Sequence, residues 1–195
     1  MAPLLQQLQR ILPLLLWAVL AAGAEEAPPH ITVSPDDIRI TRAGDGFRID
    51  VTLVVAAPLE VAWQVLTDFD HMARFVPNLE RSSVVRRKGN SLLVEQQGKV
   101  YFGPFSVEFG STREVDLVPM RTIRAHQISG TARSMDSSMQ LLSVADGTRL
   151  EYHAEIVPET YLPPMFGPGA VRREMADQFT AILNEMRMRT SSRKG

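Results

Sequence analysis

Few residues in this sequence place polar chemistry where alternation predicts an apolar interior. In the strand-like run 105–117, Arg113 shares parity with Phe105, Val107, Phe109, Val115 and Leu117, so strict alternation turns its guanidinium inward. An unpaired cation there is costly, so an inward Arg113 has to hold either a buried carboxylate or an anionic or carbonyl group of a ligand. The competing reading is a β-bulge near Gly110-Ser111 that flips the register and sends Arg113 to solvent. Gln96 is in register with Leu92, Val94, Val100 and Phe102, with the same alternative at Gly98. Tyr152 shares a face with Leu150, Ala154 and Ile156, which places its ring in the core and leaves its hydroxyl in need of a partner. The three together are suited to fixing the polar end of a small molecule.

Other chemistries are poorly represented. The chain has no cysteine, which removes thiol nucleophiles, disulfides and Cys-ligated metal. The histidines, at 30, 71, 126 and 153, show no metal-ligand spacing, and His153 alternates with Arg149, Glu151 and Glu155 on the outer side of its strand. No G-x-S-x-G, G-x-x-x-x-G-K, G-x-G-x-x-G or H-E-x-x-H pattern occurs. No catalytic residue, metal or cofactor is assigned on this basis. With 21 basic against 22 acidic residues, the chain has no basic excess to track a nucleic acid.

Several elements must position these groups. Ile38–Arg42, the cluster Gly44-Asp45-Gly46 and Phe47–Val55 read as a hairpin, with Phe47, Ile49, Val51, Leu53 and Val55 on one face. The period changes at Pro58, giving a helix to about Asp68, and Asp70 is placed to cap a second short helix that ends before Val76-Pro77. Six strand-like runs follow at about 81–87, 91–102, 105–117, 121–128, 133–144 and 148–157, separated by turn signals such as Asp146-Gly147. Val171, Met175, Phe179, Ile182 and Met186 then mark a long amphipathic helix over about 169–189. At ~30 Å such a helix matches the length of the strands. The expected architecture is α+β: a strongly curved antiparallel sheet of about seven strands wrapped around the long C-terminal helix, with two short helices after the first strand.

The candidate lining of a cavity between sheet and helix is apolar. It comprises Phe69 and Phe75 from the short helices, Val94, Phe105, Phe109, Met135 and Met139 from strands, and Met175 and Phe179 from the long helix. Methionine adapts to irregular guests, although the same spacing also fits a plain core. Tyr161 and Phe166 belong to a proline-rich apolar loop, 161–167, that reads either as a gate with transient membrane contact or as a lid folded on the core.

At the N-terminus, Ile11–Ala22 forms an apolar run of 12 residues followed by Ala22-Gly23-Ala24 and two acids. The run is short for a membrane span and reads as a signal peptide cleaved after Ala24, or alternatively as an uncleaved anchor. Either placement exports the body, to the periplasm or outside the cell. Residues 25–36 are expected to be a tether, 37–190 one domain and 191–195 a disordered tail.

The element order, the run VAAPLEVAWQVLTDFDHMARFVPNLERSSVV within residues 54–85 and the hairpin VADGTRLEYHAEI at 144–156 together resemble the START-like (SRPBCC) superfamily, within it the polyketide cyclase/dehydrase and coenzyme-Q-binding group. The resemblance spans about residues 46–190 and implies a helix-grip fold enclosing a hydrophobic cavity. Three functions are then in play. The first is an exported, monomeric binding protein or carrier for a lipid, isoprenoid quinone or polyketide-like aromatic, since apolar pockets with few convergent polar groups suit such ligands. The second is an aromatic cyclase or dehydratase using the same cavity. The third is a structural domain with a filled core.

Overall fold

The computed structural model describes residues 30–102, 105–159 and 168–193, excluding the side chains at 102 and 105. Eight strands form one antiparallel sheet: β1 (Ile38–Ala43), β2 (Gly46–Val55), β3 (Leu79–Lys88), β4 (Ser91–Phe102), β5 (Phe105–Val118), β6 (Thr122–Gly130), β7 (Ala132–Val144) and β8 (Gly147–Pro158). Their order is β1-β2-β8-β7-β6-β5-β4-β3. The short helix α1 (Leu59–Leu66) and a 3-10 helix (Phe69–Arg74) follow β2, and α2 (Pro168–Ser191) closes the chain. This is the helix-grip arrangement. It has one strand more than expected, and two strands precede the helices, because Ile38–Ala43 pairs with β2 along its whole length.

Pro58 sits at the N-cap of α1, where its missing N–H costs nothing. Val61, Ala62, Val65 and Leu66 bury the inner stripe of that helix. The capping role expected of Asp70 is not realised: Asp68 occupies the N-cap position of the 3-10 helix. Asp70 instead accepts the Val84 N–H at 2.7 Å and ties this helix to β3.

The segment expected as a tether is docked over its second half. Asn184 on α2 accepts the Ile31 N–H at 3.1 Å and donates to the Ile31 carbonyl at 2.7 Å, while the Thr180 hydroxyl accepts the Val33 N–H at 2.9 Å. Val33 is buried, and Ser34 caps a 3-10 turn over Pro35–Asp37. Residues 31–36, expected as part of a tether, thus pack against α2. At the other end, Arg193 donates to the Gln64 side chain, so this part of the expected tail is also fixed.

α2 backs onto α1, β1, β2 and the N-terminal segment. Its last turns are held by Arg189, which donates to Asp68 at 2.8 Å and to Glu185 at 2.7 Å and lies 5.8 Å from the centroid of the Phe75 ring. Partial burial pushes the Asp68 carboxyl up, but hydrogen bonds from His71 and Arg189 pull harder, and it rests below its ordinary value. A depressed acid stabilises the fold above its unfolded-state pKa of about 4 and loses that contribution as pH falls through the folded-state value. Asp68→Asn should therefore cost roughly 1 to 2 kcal/mol near neutral pH. Its stability should fall less steeply than that of the wild type between about pH 4.5 and 2. Denaturant unfolding across that range checks both.

Candidate ligand cavity

Between the sheet and the first half of α2 lies a cavity of about 400 Å³. Its apolar wall includes Leu66, Phe69, Met72, Phe109, Val115, Met135, Met139, Met175, Phe179 and Ile182. The polar groups on it are Gln96, Ser111, Arg113, Gln127, Thr131, Ser137, Tyr152 and Gln178.

The sheet does carry a bulge beside Arg113, but on the neighbouring strand. Thr112 pairs with Ser129 and Arg113 with Gln127, which leaves Ile128 of β6 as the extra residue, and Ile128 is exposed. β5 therefore keeps its alternation through this point and Arg113 faces the cavity. The shift near Gly98 likewise falls on β3, where Glu80 is the skipped residue, so Gln96 remains inward and buried.

These two side chains form a short polar chain. An Arg113 Nη2 hydrogen donates to Gln96 Oε1. Gln96 Nε2 in turn donates to Ser82 Oγ at 3.0 Å and reaches Met72 Sδ at 3.5 Å. Arg113 Nε is sealed from solvent with no hydrogen-bond partner among the described residues. Burial lowers the Arg113 pKa, opposed by Tyr152. Burial raises that of Tyr152, opposed by Arg113 and a hydrogen bond with Ser137. The Tyr152 ring meets Phe179 edge to face, 5.5 Å between centroids, which fixes both on the cavity wall.

A second polar cluster ties the turn before β3 to α2. Pro77 and Leu79 both line the cavity, and Asn78 between them adopts a left-handed conformation, φ 64°, which asparagine tolerates. Asn78 Nδ2 donates to Glu174 on α2 at 2.9 and 3.2 Å, and Gln178 Nε2 donates to the same carboxylate at 2.8 Å. The Asn78 carbonyl accepts the Lys99 N–H at 2.9 Å. A Cβ on Gly98 would stand 2.1 Å from that carbonyl oxygen, so this approach requires glycine.

Phe69, Gln96, Phe109, Arg113, Met135, Met139, Tyr152, Met175 and Phe179 thus meet around one space. Two expected lining residues do not. Val94 is fully buried in solid core, and Phe75 packs beside the core under Arg189. The Phe105 side chain, Tyr161 and Phe166 lie outside the described residues. Gln127, which donates to the Ala132 carbonyl at 2.7 Å, was missed together with Gln178. Parity with Ala125 and Ile123 was the available signal for Gln127, broken by the bulge at Ile128. The strand histidines stay outside the cavity, His126 paired with Asp136 at 2.6 Å and His153 with Asp50 at 2.7 Å. Among the described residues no group of His, Asp or Glu is arranged to hold a metal ion.

The family model described as polyketide cyclase/dehydrase and lipid transport matches residues 55–183, about two thirds of the chain. The chain belongs to this family. No curated protein matches the family member described here. Among solved structures, it is similar to the Zhui aromatase/cyclase from a Streptomyces species, with 21% identity and a TM-score of 0.61, covering 73% of this chain and 94% of that one. It is also similar to a STAR-related lipid transfer protein from Xanthomonas axonopodis (13% identity, TM-score 0.59, 78% and 99% covered). The human StarD13 lipid transfer and protein localization domain is a further likeness (18% identity, TM-score 0.60, 80% and 88% covered). At these identities the likeness establishes the shared fold.

Proposed function

We propose that the protein binds, and carries in an exported compartment, a small hydrophobic molecule held between the sheet and α2. The observation that carries this reading is the cavity itself: about 400 Å³ of space, largely apolar, with four methionines and a few convergent polar groups on its wall. Such a volume lies within the range of small-molecule sites. The lipid transfer proteins among the structural likenesses support the same class of ligand. The apolar run at residues 11–22 supports export.

The aromatase/cyclase among the likenesses favours an enzymatic alternative. That chemistry needs a group to move protons, and the described residues lining the cavity include no carboxylate and no imidazole. Arg113 and Tyr152 are the ionisable groups there, and neither is a base near neutral pH. Binding is therefore the better supported of the two.

Native mass spectrometry with organic extraction, on protein purified from the exported fraction of its own cell, tests the carrier reading. A co-purifying apolar species of constant mass is the expected result. Repeated absence of any such species, with no uptake of added lipids or quinones, would favour a purely structural domain.

A further inference from the structure

Resting on the binding reading above, we infer that the ligand is an amphiphile with a carboxylate head, a long-chain monocarboxylate, whose charge neutralises Arg113. Arg113 lines the cavity, and among the described residues no carboxylate forms an ion pair with it. Among the described residues its hydrogen-bond partner is the neutral side-chain carbonyl oxygen of Gln96, and its Nε has none. Gln96 is held in that acceptor role because its own amide donates to Ser82. The protein therefore orients a guanidinium edge at the cavity and leaves its charge to be met by something else.

A neutral carbonyl supplies a hydrogen-bond acceptor without balancing a desolvated cation, whereas a carboxylate does both and matches the guanidinium fork in two parallel bonds. Most of the remaining wall is apolar and includes four methionines, suited to an alkyl chain. A space of about 400 Å³ lies in the range of small-molecule sites, and dodecanoate serves as the probe of a single-chain carboxylate.

The test is calorimetric titration of delipidated full-length mature protein at pH 7.5 with dodecanoate, 1-dodecanol, methyl dodecanoate and a short-chain phosphatidic acid. Dodecanoate should bind at least tenfold more tightly than the alcohol or ester, and Arg113→Gln should reduce that preference to within about twofold. Alcohol or ester binding as tightly as dodecanoate overturns the carboxylate inference and leaves the binding reading standing. Tighter binding of phosphatidic acid overturns the carboxylate head in favour of phosphate. Failure of all four to bind overturns both. A second measurement guards against a merely structural arginine: with its charge uncompensated in the empty protein, Arg113→Met should leave the thermal midpoint of the empty protein unchanged or higher. A lowered midpoint with the preference for dodecanoate intact would assign Arg113 to the framework and overturn the inference.

Discussion

Leu150→Ala should lower the unfolding free energy by about 3 to 5 kcal/mol, the largest loss expected from any single truncation discussed here. Leu150 is 1% exposed on β8, paired with Leu53 and Leu141 across its two neighbours, and is not part of the cavity wall. Its removal leaves a void that the packed strands cannot fill. Phe179→Ala removes a larger side chain and should nonetheless cost less, about 2 kcal/mol. One side of that ring abuts open space, so fewer packing contacts are lost and the new volume joins a space that can admit water. Dodecanoate affinity should fall at Phe179→Ala and stay unchanged at Leu150→Ala. Urea unfolding of both variants, with and without dodecanoate, checks the order. A loss at Phe179 equal to that at Leu150 and insensitive to dodecanoate would mean that the helix there is ordinary packing.

Asn184→Leu should cost about 2 to 4 kcal/mol, because both backbone groups of Ile31 lose their partner while the burial of Val33 is put at risk. Leucine keeps approximate volume and helix propensity, so the loss reports the hydrogen bonds of Asn184 to Ile31 and to the Thr180 carbonyl rather than a cavity. Amide hydrogen exchange locates the effect: Ile31 and Val33 should exchange much faster in the variant, with strand amides of β4 and β5 accelerated by no more than the global loss. Fast exchange at Ile31 already in the wild type would contradict the clamp.

Strict alternation offered an inward Arg113, Gln96 and Tyr152, with a bulge at Gly110-Ser111 or Gly98 as the open alternative for the first two, and the 3- and 4-residue steps from Val171 to Met186 were enough to place the long helix. What alternation cannot say is which of two paired strands carries an extra residue. The bulge beside Arg113 was anticipated on β5 and lies on β6, at Ile128, and that difference decides whether the guanidinium meets solvent or cavity. Nor does residue type separate cavity wall from core: Met139 faces the space while Met186 on α2 is buried in solid packing. The docked segment at Ile31–Ser34 was illegible for another reason. Its neighbours are prolines and acids, the composition of a linker, and what orders it is an asparagine 153 positions away. Phe75 reads as an apolar lining residue until Arg189, from the far end of α2, is seen to lie over its ring.

The Asn184 clamp and the β2–β8 ladder also set a timetable for biogenesis. β2 finds its inner partner only when β8 has been made, as in the His153–Asp50 pair 103 positions apart, and Ile31 waits 153 positions for Asn184. At roughly 5 to 20 residues per second of synthesis, the first hairpin waits about 5 to 21 s for a sheet to join and Ile31 about 8 to 31 s for Asn184. With so many of its contacts non-local, the chain is expected to close slowly, in milliseconds to seconds, once its last helix is free. A nascent chain of this topology accordingly stays open until β8 and α2 have been made, and its cavity is assembled around them.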